Sequence, residues 1–157
     1  MPTDVDTMTN LLENFALAHT QLTRLNAELS EVVARDQTFQ AKVELKLTPR
    51  EMPVDEGQVQ YQVTARLLCR GNRESESPDK PLFTIELVLQ AVYRQFRGDP
   101  VDFETFTGNH GSLTRQLYPL IHHQLQPVLK QLGLDQVKLP YDLADGGIER
   151  QTGRQVH

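Results

Sequence analysis

Residues 113–139 read LTRQLYPLIHHQLQPVLKQLGLDQVKL, with a Leu-aromatic-Pro step (Leu117, Tyr118, Pro119) at the head of an amphipathic segment. Leu113, Leu117, Leu120, Ile121, Leu125, Val128, Leu129 and Leu132 recur at the three- and four-residue spacing of one helix face. Ser112 is placed to cap this helix, and Gly133 to stop it. Pro119 and Pro127 lie inside the pattern, where each should kink the helix or mark the first turn of a new one. A short extended segment, Val137-Lys138-Leu139-Pro140, follows.

Upstream of the helix the period is two. Phe39, Ala41, Val43, Leu45 and Leu47 alternate with Gln40, Lys42, Glu44 and Lys46, as in a half-buried strand. Pro49 to Gly57 reads as a turn region, and Val59 to Cys69 as a second strand. After an exposed loop, GNRESESPDKP (71–81), a third strand runs from Leu82 to Phe96. One of its faces carries Phe83, Ile85, Leu87, Leu89, Ala91 and Tyr93; the other is polar but ends in Val88, Val92 and Phe96. Gly98-Asp99-Pro100 ends it, and VDFETF (101–106) can make one helical turn. Strands joined by short turns pair as an antiparallel meander, so the class is α+β with helices on one face.

The N-terminal third has a different spacing. Met8, Leu11, Phe15, Ala18, Leu22, Leu25, Leu29 and Val32 fall at alternating steps of three and four, the seam of a heptad repeat. Asn10 and Glu13 make a capping pair. The spacing predicts a polar lead-in over 1–8, then a long helix over 9–35. Leu11, Phe15, Leu22, Leu25 and Leu29 are its candidate oligomer or partner contacts. The α+β domain spans 36–144, and the polar tail 145–157 reads as disordered.

Composition narrows the function classes. The chain has 157 residues, enough for one ordinary domain, and a net charge of −5 with no Lys/Arg cluster. That balance argues against a nucleic-acid partner. One cysteine, Cys69, permits no disulfide framework and no cysteine zinc site within the chain. No run of 18 apolar residues can span a membrane, and the acidic N-terminus lacks the features of a signal peptide. We therefore expect a cytoplasmic protein with no membrane insertion.

No chemistry stands out. His122 and His123 are adjacent, and on a helix their side chains point about 100° apart, too far to share a metal ion. Cys69 falls on the apolar phase of its strand as an inert thiol. Asp99, Asp102 and Glu104 read as solvated charge in a turn, and the glycines at 108 and 111 match no phosphate-binding pattern. The expectation is no enzyme, no metal and no cofactor.

The run LFTIELVLQAVYRQF (82–96), the loop FTGNHG (106–111) and the helix opened by Leu117-Tyr118-Pro119 together resemble the SecB protein-export chaperone family over residues 37–144. The order of elements carries the resemblance more than any single motif. It implies a four-stranded antiparallel sheet with helices on one side, assembled as a dimer of dimers. It also implies an ATP-independent holdase that binds unfolded or precursor polypeptides in apolar grooves during protein export. Carried onto this chain, the peptide-binding candidates are Phe83, Tyr93, Phe96, Phe103, Phe106, Leu113, Leu117 and Tyr118. The family's SecA motor is a further implied partner. Here the outer face mixes Lys42 and Lys46 with Glu44 and Glu86 instead of presenting an acidic patch, which weighs against that docking. The alternative is a dedicated SecB-like chaperone or adaptor for one partner, such as an antitoxin, with the N-terminal helix as the interaction element.

Overall fold

The computed structural model describes residues 13–34, 39–72, 81–134, 137 and 139. Four strands, β1 (Phe15–Leu29), β2 (Gln40–Asp55), β3 (Gln58–Asn72) and β4 (Phe83–Gln95), form one antiparallel sheet in the order β1-β4-β3-β2. A short helix, α1 (Phe103–Thr107), and a long one, α2 (His110–Gln131), follow. The predicted α+β class with helices on one face stands.

The predicted helix over 9–35 does not: the chain is strand β1 from Phe15 to Leu29, paired along its length with β4. The physical reason lies in two β-bulges, one between Leu17 and His19 and one between Leu22 and Arg24. Each bulge inserts one residue, so the next same-face side chain comes three positions on instead of two. Leu22, Leu25 and Leu29 thus all point to the helix side of the sheet, opposite the inward Leu89, Leu87 and Phe83 of β4. Two ordinary strand steps supply the spacing of four, and one step plus a bulge supplies the spacing of three. β1 is also the sheet's fourth strand. Val137 and Leu139 are buried but belong to no strand. β1, on the N-terminal side of the boundary expected at residue 36, belongs to the same sheet as β2, β3 and β4. Leu11, the 1–8 lead-in and the 145–157 tail lie outside the described residues.

The turn expected over Pro49–Gly57 is smaller than its composition suggests. β2 runs through Pro49 and Pro53 to Asp55, which a strand on the sheet edge allows because its missing N–H bonds would face solvent. The reversal itself takes two residues, Glu56 (φ 51°) and Gly57 (φ 77°), both left-handed as a type I′ hairpin requires.

The inward side chains of β2, β3 and β4 pack with Phe106, Leu113, Leu117, Tyr118, Ile121, Leu125 and Leu129 into one core. α1 is capped by Asp102, whose carboxylate accepts from the Thr105 N–H at 2.8 Å and is held below its ordinary pKa by hydrogen bonds from the Thr105 side chain and, second, from that N–H. α2 starts at His110, two residues before the predicted cap Ser112, and Asn109 sits at its N-cap with its amide turned back to the Thr105 carbonyl. The helix is continuous through Pro119 and Pro127, which are both exposed, so carbonyls left without a donor can meet water. Gly133 (φ 74°) ends it, with Leu134 N–H bonding to the Leu129 carbonyl and Gly133 N–H to that of Lys130, a Schellman closure.

A Cβ at Gly71 would come within 2.0 Å of the fully buried Phe83 ring, itself packed edge-on against Phe39 at 5.5 Å. Gly71→Ala should therefore cost about 1–3 kcal/mol in urea unfolding, as overpacking does, with partial recovery in Gly71→Ala/Phe83→Leu. Burial also pushes the Cys69 thiol from 9.0 up to about 12. The folded state keeps this proton while the unfolded chain loses it, so stability is intact below pH 9 and falls as pH rises from there toward 12. Cys69→Ala should flatten that part of the alkaline unfolding curve.

Candidate functional site

At the end of the sheet where β4 stops, aromatic rings gather under α1. Phe106 lies 4.6 Å from Tyr61, 5.2 Å from Phe15 and 5.6 Å from Tyr93, and Phe103 lies 5.6 Å from Tyr61. The link from β4 to α1 is tied to this cluster by two side chains. Gln95 is buried, and its amide donates to the carbonyls of Arg97 (3.0 Å) and Asp99 (2.6 Å) while its Oε1 accepts from Val101 N–H (3.0 Å). The Tyr61 hydroxyl donates to the Val101 carbonyl at 2.5 Å. Asp99 thus supplies a backbone acceptor and Asp102 a helix cap; neither acts as part of an acid pair.

This anchoring holds Phe96, one residue past β4, at the surface with 49% of its area exposed. The backbone there is pinned by Phe96 N–H to the Asn14 carbonyl (2.9 Å) and by Arg97 Nε to Asn14 Oδ1 (2.7 Å), and the Arg97 guanidinium sits 5.3 Å over the Phe96 ring. A shallow pocket of about 160 Å³ opens beside it, lined by Phe96, Val59, Gln95, Pro100 and the β2–β3 hairpin. Val54 on that hairpin is 63% exposed. A second apolar exposure lies on the helix side of β1, where Leu22 and Leu25 remain 36% and 46% exposed.

Of the eight candidate peptide-binding residues, six are core residues of the subunit. Phe83, Tyr93, Phe106, Leu113, Leu117 and Tyr118 are fully buried, because the inward phase of β4 and the apolar face of α2 are the two halves of one layer. Burial raises the Tyr93 and Tyr118 hydroxyls well above their ordinary pKa, and neither finds a hydrogen-bond partner among the described residues. Phe83 lies at the opposite end of β4 from Tyr93. Phe96 and Phe103 alone of the eight offer surface. Among the interface candidates, Phe15 is buried in the ring cluster and Leu29 is half-buried, which leaves Leu22 and Leu25. In the sequence Val54 is masked by the Pro49–Gly57 stretch, which reads as turn.

Among the described residues no group of three or more His, Cys, Asp or Glu side chains could hold a metal ion. His122 is partly buried against Tyr118, with ring centroids 5.9 Å apart, and burial lowers its pKa. His123 is exposed. No helix among the described residues is long and apolar enough to cross a membrane.

A sheet of four antiparallel strands, with one face left open by the described residues and the other backed by one long helix, defines the class. The fold is that of the SecB-like chaperones. The SecB-like chaperone Rv1957 of Mycobacterium tuberculosis, solved in complex with a ChAD peptide from the HigA1 antitoxin Rv1956, superposes with a TM-score of 0.63 at 16% sequence identity. The match covers 88% of this chain and 98% of that one. No protein-family model matches the sequence, and no curated protein matches it. The chain is thus SecB-like in fold and far diverged in sequence.

The geometry separates core from surface experimentally. Phe96→Ala should change unfolding free energy by less than about 0.5 kcal/mol. Tyr93→Ala and Phe106→Ala should each cost about 3–5 kcal/mol. Chemical unfolding of the three variants measures this directly.

Proposed function

We propose that this protein is an ATP-independent chaperone, a holdase that binds unfolded polypeptide through exposed apolar side chains around Phe96. The observation that carries the reading is a SecB-like fold whose Phe96 is held half-exposed beside a shallow pocket of mixed polar and apolar lining. Apolar contacts are non-directional, so a surface of this kind accepts many sequences. Phe103, half-buried against Tyr61, and the exposed Val54 of β2 are further apolar candidates. Tyr93, Phe106, Leu113, Leu117 and Tyr118 act behind it as packing, and Phe83 packs the far end of β4.

The protein is not an enzyme and uses no cofactor. Its partners are unfolded or precursor polypeptides, and the compartment is the cytoplasm. The working unit is a homo-oligomer, a dimer of dimers, with Leu22 and Leu25 of β1 covered between copies. A role in export through SecA is the weaker form of the proposal, since the outer sheet face is not acidic. A second reading has a specific observation in its favour: the chaperone of similar fold was solved with an antitoxin peptide. A dedicated chaperone for one such client uses the same surface with a narrower choice of sequence.

The test is the affinity of a fluorescently labelled, permanently unfolded polypeptide, such as a reduced and carboxymethylated protein, measured by anisotropy without nucleotide. Phe96→Asp should weaken binding by about tenfold, the effect of losing one buried aromatic anchor. Unchanged affinity in a folded Phe96→Asp variant would remove this surface from the proposal. Deleting residues 1–35 cannot serve as the test, because it takes away β1 and with it a quarter of the sheet's strands.

A further inference from the structure

The face of the sheet turned away from the helices carries an excess of positive charge in a chain whose net charge is −5. Across the β2–β3 register, Lys42 stands directly opposite Arg70 and Lys46 directly opposite Arg66. Like charges in directly opposed positions destabilise a sheet, so neither pair is favourable as a cross-strand pair. Arg66 bonds to Glu86 and holds its carboxylate below the usual range, and Arg24 approaches the same carboxylate at 3.7 Å. Lys42, Lys46 and Arg70 have no ion pair among the described residues. Of the other carboxylates on this face, Glu44 stands between the two pairs, directly opposite Leu68, and Glu28 stands opposite Thr84. On the β4 side of β3 a depression of about 310 Å³ is lined by Arg66, Leu68 and Arg70 of β3, Thr84 and Glu86 of β4, and Asn26 and Glu28 of β1.

The spacing is informative. The two cation pairs are four residues apart along the strands, about 13 Å, and Leu68 lies midway between them. An extended peptide repeats its same-side residues every two positions. Carboxylates at one position and four further on would therefore reach the two pairs, with an apolar side chain midway resting on Leu68. We infer that the outer face of β2 and β3 docks an acidic polypeptide segment of the form Glu-x-Leu-x-Glu in extended conformation. A nucleic acid is disfavoured, because its long run of charge meets the net negative chain and offers nothing to Leu68, whereas a short segment senses only the local field within about 8 Å. This inference does not rest on the chaperone reading, since it uses the opposite face of the sheet from the core.

The probe is a fluorescein-labelled peptide with a Glu-Thr-Leu-Thr-Glu core, titrated with the full chain and followed by anisotropy, beside its Lys-Thr-Leu-Thr-Lys counterpart. The acidic peptide should bind, and raising salt from about 50 to about 300 mM should weaken it. Lys42→Glu/Arg70→Glu, both at exposed positions, should weaken it by about tenfold with the melting curve unchanged. Phe96→Ala should leave it unaltered. Equal binding of the lysine peptide, equal binding by the charge-reversed variant, or no binding except by a single-stranded DNA oligonucleotide would overturn the inference. So would binding that emerges only in Glu74→Gln/Glu76→Gln/Asp79→Asn, which would assign the face to the chain's own 73–80 segment.

Discussion

One long helix has to cover a four-stranded sheet, and it is too narrow to do so. α2 is a rod about 33 Å long and about 10 Å wide. The sheet beneath is about 14 Å from edge strand to edge strand, with strands of about 43–53 Å. Cover from the helix and from the buried residues that flank it, Val33, Phe39, Leu134, Val137 and Leu139, extends from β2 through β4 and reaches β1 only toward its two ends, at Phe15 and Leu17 and at Ala27 and Leu29. The inward Ala41, Val43, Leu45 and Leu47 of edge strand β2 are buried, while the inward Leu22 and Leu25 of edge strand β1 are not. Apolar surface is therefore left over by geometry, in a protein whose core is otherwise closed.

The same shortage of cover shapes the other end of the molecule. α1 is a single turn, and it lays Phe106 into the ring cluster while leaving Phe103 half out. Gln95 and Tyr61 then fix the link between β4 and α1, so that Phe96 projects from a rigid backbone instead of a loose loop. Rigid support matters for a binding surface because a contact residue that is already held loses less freedom on binding. The buried polar groups of the link serve the apolar residue beside them.

Much of this was legible in the sequence. The alternation of β2, β3 and β4 gives their inward rows correctly, because a two-residue period is hard to produce by chance over ten or more residues. The face of α2 and its Gly133 stop are equally plain. β1 was not legible, for a definite reason: two bulges convert a strand's period into steps of three and four, which is also a helix's spacing. The aromatic candidates divide by phase. Tyr93 and Phe83 share the phase of Ile85 and Leu87 and so are core, whereas Phe96 has the phase of Glu86 and Arg94 and so faces out. That parity was available in the sequence, and it separates binding candidate from core better than aromatic character does.

The central claim is that surface left uncovered by this fold holds unfolded chains without energy input. The most direct measurement is light scattering from a chemically unfolded, unrelated protein diluted into nucleotide-free buffer with and without this one. Suppressed aggregation at near-stoichiometric amounts is the predicted result. Undiminished aggregation in the presence of a demonstrably folded sample would contradict the claim of a general holdase and leave the fold with a single dedicated partner.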